Sequence, residues 1–488
     1  MPLESLQVVR RPESFRCDDH RVIPRYLNFR HPPRIRAILR RLLKVREAEV
    51  SSLLASVRGE FNGRHRDLDT VFETNYRTAI AHLPGPPEVS EQRRRLIGAC
   101  FTMEYAIESA ALFNPSIVPH PDQSGLPAGD VRFLMSLRAT GEGHVSSIVF
   151  RRGVLHASGQ MSFDPPPRFA HAARVVPDRA FDKAGFCRLL RGMEVCDGLA
   201  GDVLDALDDP FTLGQIEAAI ERLRPARPTR GQRTTAADMR WVARASYELD
   251  FPRDCLPAEI VIFPATPYEQ HGMEDLRLVR FVGGEGRERY CGTYTAYDGR
   301  QTHSMLLQTD DFHRFHVSPL AGRCARHKGM ALFPRLVDGQ YLMLTRHDGE
   351  NLFLARSANL HTWDSALRLQ KPAELWETVQ IGNCGSPLET DAGWIVLTHG
   401  VGPMRRYCIG ALLLDRRDPA RVIGRLREPL LVPNEHERAG YVPNVVYSCG
   451  SMIHGGQLII PYAMSDSRTS FASVEVSTLI DRLVDSGP

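Results

Sequence analysis

The chain predicts a mainly β protein: a five-bladed β-propeller carrying an N-terminal helical region and a helical insertion. The first observation is a repeat. Around Tyr290, Tyr341 and Trp394 the sequence reads RERYCGTYTAYDG, DGQYLMLTRHDG and DAGWIVLTHGVG. Each is a turn, an aromatic residue, and a short β-branched or apolar strand ending on polar residues. The first two units continue into matching second halves, MLLQTDDFHRF and LFLARSANLHTW, where a strand gives way to a polar turn. The second observation is spacing, since about 50 residues per unit is what a blade of four short strands occupies. The third is that strands and turns dominate from Ala258 to Met464. Blades place their innermost strands around an axis, so polar residues ending those strands converge on one pocket.

The remaining elements follow in chain order. From His31 to about Ala81 the pattern is helical, with Ile35, Ile38, Leu39, Leu42 and Leu43 on one face, continued by Leu53, Leu54 and Val57. Arg34, Arg36, Arg40, Arg41, Lys44 and Arg46 make this stretch basic, which reads as a solvated face or a subunit contact that could make a homo-oligomer. A break at Pro84 precedes a helix expected from about Glu91 to Leu112. Strands begin with VRFLMSLRA and VSSIVFRRGVL, joined by the Gly141-Glu142-Gly143 turn. A helical segment from about Phe181 to Leu223, ending in the linker RPARPTRGQR, reads as an insertion between blades, and STLIDRLV as a closing helix. The expected division is a helical region over 1–111 and a catalytic propeller over 112–488, with the insertion at about 165–245.

Composition narrows the function. With 488 residues the chain exceeds one ordinary domain, and its 43% apolar content is ample for a core. No apolar run approaches the ~18 residues of a membrane helix, so no membrane partner is expected. The opening MPLESLQVVRRPESFRCDDH lacks the pattern of a signal peptide. The ten cysteines, Cys17, Cys100, Cys187, Cys196, Cys255, Cys291, Cys324, Cys384, Cys408 and Cys449, are scattered without a CxxC pair, which points to a reduced, cytoplasmic chain. A net charge of +3 gives no electrostatic reason to expect nucleic acid.

Three clusters could carry chemistry. In HGMEDLRLVRF, Glu274, Asp275 and Arg277 precede an apolar strand, and paired carboxylates beside an arginine can hold one acid ionised and another protonated. The plainer alternative is a surface turn with a local ion pair. In RHKGMALFPR and LTRHDGENL, the cations His327, Lys328, Arg335, Arg346 and His347 could bind phosphate or carboxylate, and Glu350 could activate water. In GNCGSPLETDAGWIVLTHGVGPMRRY, Glu389, His399 and Arg405 would face a cavity if Trp394 starts an inner strand. Cys384 with His399 as base invites a nucleophile reading, against the plainer one of a small buried thiol. No histidine spacing suits a metal, and no glycine-rich phosphate loop opens a helix, so neither a metal nor a nucleotide cofactor is expected.

Taken together, these strings resemble glycoside hydrolase family 130, the β-mannoside phosphorylases and β-1,2-mannosidases, whose fold is a five-bladed propeller. The matching residues include FNPSIV from Phe113, SLRA from Ser136, GMEDLR from Gly272, HKGMALFPR from His327, GSPLETDAGW from Gly385 and GYVPNVVYSCG from Gly440. The resemblance implies that Asp275 is the general acid, passing its proton through a sugar hydroxyl. It implies that Asn114 and Arg138 contact the mannose in the cleaved position. Lys328, Arg346 and His399 match positions near the phosphate of phosphorylases. Glu274, Arg277 and Arg405 are further candidates for binding substrate. Leu276 stands where the family has proline.

GNCGSPLET and THGVGPMR stand where phosphorylases of the family usually read GAGxPPI and YHGV, which looks more like the hydrolytic branch. The leading expectation is therefore an inverting enzyme that hydrolyses terminal β-mannosidic bonds, β-1,2 foremost, with Asp275 as acid and Glu350 or Glu389 as base. The alternative keeps the same acid and uses inorganic phosphate as co-substrate, held by Lys328, Arg346 and His399, releasing mannose 1-phosphate. A carbohydrate-binding propeller without catalysis is a third reading. In each, a β-linked manno-oligosaccharide is the partner.

Overall fold

The computed structural model describes residues 6–176, 180–195 and 197–487, and the protein is mainly β. Five sheets follow one another along the chain, each built around an antiparallel meander. The first runs through Ala111–Pro119, Val131–Thr140, Ser146–Leu155 and Ile260–Ile262. The second starts with Met273–Val282, Glu288–Tyr297, Thr302–Thr309 and Arg314–Pro319. The third comprises Ala331–Leu332, Tyr341–Thr345, Leu352–Ser357 and Ser365–Gln370. Gln380–Asn383, Gly393–Gly402, Arg406–Leu414 and Val422–Arg425 make the fourth. The fifth joins Val446–Tyr447, Gln457–Met464 and Arg468–Glu475 to the N-terminal strand Val9–Phe15.

The turns explain the repeat. The side chain of Asp298 accepts from the backbone N–H groups of Arg300 and Gln301, and Asp348 does the same for Glu350 and Asn351. Asp311, Asn359 and Asp415 close equivalent turns. A short carboxylate or amide that bonds the backbone two and three residues on fixes such a turn. The repeat aromatics begin the second strand of their sheets rather than the innermost, and each reaches back to the preceding sheet. The Tyr290 hydroxyl donates to the Pro119 carbonyl at 2.8 Å, Tyr341 stacks on Phe281 at 5.5 Å, and Trp394 meets Phe333 edge-on at 5.1 Å.

Contacts between sheets run through their first strands. Ala111–Pro119 packs against Met273–Val282 on one side and Gln457–Met464 on the other, and Met273–Val282 packs against Ala331–Leu332. Tyr341–Thr345 meets Gln380–Asn383, and Arg406–Leu414 meets Val446–Tyr447.

Helices Pro32–Leu43, Glu47–Phe61, Leu68–Ile80 and Glu91–Cys100 form the N-terminal region, with Ile35 and Leu39 packed on Tyr76, Ala79, Ile97 and Phe101. The helix expected to reach Leu112 stops at Cys100, because Thr102–Ala106 is a strand paired with Val22–Tyr26. Met103 and Tyr105 alternate with period two there, which the helical reading missed. Strand Val9–Phe15 also leaves the helical region to join the fifth sheet.

The insertion holds helices Lys183–Gly192, Gly198–Asp205, Leu213–Leu223 and Arg230–Ala245 around their own apolar cluster. The end of the expected linker enters the last of these, since Thr229 and Gln232 form a capping box. Nine cysteines are free, and Cys196 lies outside the described residues, as does the start of the opening segment. Among the described residues no helix is long and apolar enough to cross a membrane.

Phe15 anchors the N-terminal strand through an edge-to-face contact with Phe163 at 4.8 Å and a second with Phe471 at 6.3 Å. Phe15→Ala is expected to cost about 2 kcal/mol, read as a lower urea midpoint. An unchanged midpoint would show that this strand adds nothing to the stability of the fifth sheet.

Candidate active site

Two inner strands are broken at the same place. The pairing of Ala111–Pro119 slips between Phe113 and Ser116, and that of Met273–Val282 slips between Glu274 and Arg277. Asn114 and Asp275 sit in these bulges with φ of 50° and 60°. Asn and Asp are the non-glycine residues that best tolerate this left-handed region. A bulge re-aims a side chain that regular pleating would send elsewhere. Here the result is a direct contact, with Asn114 Nδ2 donating to Asp275 Oδ1 at 2.7 Å.

Cations surround the pair. Arg138, on the second strand of the first sheet, donates to Glu274 at 2.9 Å and to Asp275 at 3.4 Å, while its Nε is held by Ser146 at 2.9 Å. Lys328 donates to the other oxygen of Glu274. Arg277 is 1% exposed and donates to the side chain of Asn383 at 3.0 Å and to the Tyr447 hydroxyl. Burial pushes the Asp275 carboxyl up, but Arg138, Lys328, the Asn114 hydrogen bond and Arg277 together hold it below the ordinary carboxylate range. The free site therefore holds Asp275 ionised.

His399 lies beyond Arg277. Burial, then Arg346, then Arg277 push its pKa well below the usual imidazole value, so the ring is neutral. Its Nδ1 donates to the Asn383 carbonyl at 3.0 Å, which leaves Nε2 as an acceptor. Gly382 makes the ring's position possible, because a Cβ there would lie 2.5 Å from His399 Cε1. Arg346 Nε and Asn114 Oδ1 are buried without a hydrogen-bond partner. A buried polar atom left open in this way calls for an explanation, and a bound ligand would supply one.

Sequence reasoning missed Asp466. It follows Ser465 in the hairpin turn of the fifth sheet, both at positive φ, and reads in sequence as an ordinary Ser-Asp-Ser turn. Burial and the neighbouring Asp275 charge raise its pKa to about 6, against the opposing pull of Arg138 and Arg405. Arg405 thus stands within electrostatic reach of the cluster, on the exposed turn after Gly402. Asn383 and Tyr447 were also missed, being amide and phenol groups without a distinctive spacing.

Two expected residues lie apart from Asp275. Glu389 is bonded by Arg335 at 2.8 and 2.6 Å and by Arg416 at 3.2 Å. Arg335 bridges to Val282, seven residues along the strand from Asp275, which is about 23 Å at the usual rise. Glu389 therefore sits at the opposite end of the inner strands, its charge already satisfied. Glu350 is exposed in the turn after Tyr341–Thr345, where its carbonyl receives the Ile381 N–H at 2.9 Å. Its carboxylate makes no contact with the cluster among the described residues. Burial raises the Cys384 thiol to about 11, and the His399 Nδ1 proton goes to the Asn383 carbonyl, so the nucleophile reading has no support.

Five successive antiparallel sheets carry a carboxylate set among arginines at one end of their first strands, an arrangement suited to an enzyme that cleaves glycosidic bonds, and sequence comparison shows that the chain belongs to glycoside hydrolase family 130. The family model, described as beta-1,4-mannooligosaccharide phosphorylase, matches residues 253–485. The protein is thus an enzyme of the glycosidase and glycoside phosphorylase kind. A 1,2-beta-oligomannan phosphorylase of Thermoanaerobacter sp. is 32% identical over 225 residues, covering 44% of this chain and 72% of that one. A beta-1,4-mannooligosaccharide phosphorylase of Ruminococcus albus is 30% identical over 206 residues, covering 40% of this chain and 61% of that one. The solved beta-1,2-mannobiose phosphorylase of Listeria innocua, in complex with beta-1,2-mannobiose, superposes with a TM-score of 0.44 at 19% identity, covering 78% and 93% of the two chains.

The Asp275–Asp466 coupling can be measured. In a carboxyl carbon-13 titration Asp466 is expected to titrate near pH 6, and Asp275→Asn should move that midpoint down by removing a like charge. A midpoint unmoved by the substitution would separate the two groups.

Proposed function

We propose that the protein is an inverting β-mannoside phosphorylase acting on terminal β-1,2 linkages, with the five sheets as blades of a propeller and Asp275 as the acid. The observation that carries phosphorolysis over hydrolysis is the Arg277–His399–Arg346 group. Neither guanidinium has a carboxylate hydrogen-bonded to it among the described residues, and the imidazole between them is neutral. Buried charge calls for a counter-ion, and phosphate supplies one with oxygens suited to guanidinium donors. The hydrolytic reading, favoured by the sequence, loses its candidate bases because Glu389 is ion-paired at the far end and Glu350 faces solvent. The named relatives are phosphorylases, and one at 32% identity is a 1,2-beta-oligomannan phosphorylase.

In this reading Asn114 Oδ1 and Arg138 hold the terminal mannose. A phosphate oxygen, positioned by Arg346 and His399, attacks its anomeric carbon from the face opposite the leaving sugar. The glycosidic C–O bond breaks, and the leaving oxygen takes a proton that originates on Asp275 and passes through a sugar hydroxyl. The products are α-mannose 1-phosphate and a saccharide shorter by one unit. Phosphate also addresses the ionised state of Asp275, because its negative charge offsets the arginines that depress the carboxyl pKa.

Incubation with β-1,2-mannobiose should release mannose 1-phosphate only when inorganic phosphate is present; free mannose independent of phosphate would replace this reading with hydrolysis. Asp275→Asn should lower turnover by ~10²–10⁴-fold while mannobiose still binds. Arg346→Ala should raise the KM for phosphate by about tenfold or more with a much smaller effect on the KM for mannobiose. Equal effects on both would remove Arg346 from the anion site.

A further inference from the structure

A second cavity lies outside the Asp275 cluster. It encloses about 630 Å³ between the helical insertion and the second and third sheets, within the ~300–1,000 Å³ typical of small-molecule sites. The insertion contributes Glu194, just after helix Lys183–Gly192, and Asp238 and Trp241 from helix Arg230–Ala245. Opposite them stand Arg300 on the Asp298 turn and Arg323 and Arg326 on the segment that leads to Lys328. The insertion residues lie outside the region matched by the family model, 253–485.

Several of these charged groups are unpaired, and of them only Asp238 is partly buried, the others being exposed. Among the described residues the side chains of Asp238, Glu194, Arg300, Arg323 and Arg326 make no hydrogen bond or ion pair. Asp238 is half-buried, and burial alone raises its pKa. The Trp241 indole Nε1 is buried without a hydrogen-bond partner, and a buried donor left open calls for an explanation. Trp241 is positioned by ring contacts with His303 at 5.4 Å and Tyr268 at 6.1 Å. Acceptors, donors and an indole lining one polar cavity suit a polyol. Each hydroxyl both donates and accepts, whereas an anion would meet Asp238 and Glu194 at the wall.

The cavity is also placed for it. His327 lines it, and the next residue, Lys328, holds Glu274 beside the acid. Its Asp298 turn closes the hairpin whose strand faces Met273 and Glu274, so cavity and acid share one end of the second sheet. We infer that this cavity binds mannosyl units beyond the cleaved linkage, making the insertion a chain-length selector for longer β-mannosides. The inference rests on the mannoside reading above.

The test compares β-1,2-mannobiose with β-1,2-mannotetraose as substrates for phosphorolysis. In Asp238→Asn and Arg300→Ala the KM for mannotetraose should rise by about tenfold, while kcat and KM for mannobiose stay as in the wild type. Unchanged kinetics on both substrates in both variants would overturn the inference, as would equal losses on both. If the wild type turns over neither substrate, the mannoside phosphorylase reading fails by itself. Binding then decides the cavity: mannotetraose should change tryptophan fluorescence in the wild type and not in Trp241→Phe. No change, or a change that survives the substitution, overturns it.

Discussion

The hydrogen bond from Asn114 to Asp275 joins two strained bulges and holds together the candidate active site. A non-glycine residue held at positive φ costs on the order of 1–3 kcal/mol, so each bulge persists only where its surroundings fix it. They do so from two sides. Ser116 Oγ receives the Leu278 N–H at 3.1 Å, which locks the first strand to the second sheet just past both bulges. The Pro115 carbonyl receives the Cys449 N–H at 2.8 Å, and the Leu112 carbonyl receives the Thr469 hydroxyl at 3.1 Å, which lock it to the fifth. The strand carrying Asn114 is thus wedged between two sheets, and the strain at Asp275 is supported by contacts remote from any ligand.

That arrangement shows what a sequence reveals and what it hides. The repeat of turn, aromatic and strand was legible because it has local causes. An Asx side chain closes the turn, and the aromatic binds each sheet to its predecessor. Asp275, Arg138 and Asn114 were legible through their motifs. Glu389 was misplaced because its motif records a residue type and a strand, whereas its role depends on which end of the strand it occupies. Its partner Arg335 comes from another sheet. Asp466 was invisible for the converse reason, since a Ser-Asp-Ser turn looks the same whether it faces water or a buried carboxylate. The helix that stopped at Cys100 was a wrong choice of period over Thr102–Ala106, where pairing with Val22–Tyr26 decided the outcome.

The two ends of the inner strands carry similar residue types and differ in how charge is balanced. At the far end Arg335 and Arg416 are matched by Glu389 and Asp391. That set is complete and acts as a clasp between sheets. At the other end Arg138 and Lys328 share Glu274 and Asp275, but Arg277 and Arg346 are left with neutral partners or none. Their charge adds to other causes: burial first, then Arg346 and Arg277, keep His399 neutral, while Asp275 is held ionised mainly by Arg138 and Lys328, with Arg277 contributing less.

This imbalance ties the anion to the proton. With the arginines unopposed, Asp275 has no proton to give, and Asp466 holds its proton more firmly than Asp275 does. An anion near Arg346 changes the field at both carboxyls in the same direction, and it acts through low-dielectric surroundings where a unit charge is weakly screened. In the proposed phosphorolysis, the nucleophile's arrival would therefore favour protonation of the acid that departure of the sugar requires. A water molecule carries no charge and would leave Asp275 as it is in the free site. In the phosphorylase proposed above, a preference for phosphate would follow from the protonation state of the acid as well as from the unpartnered Arg346 donor near His399.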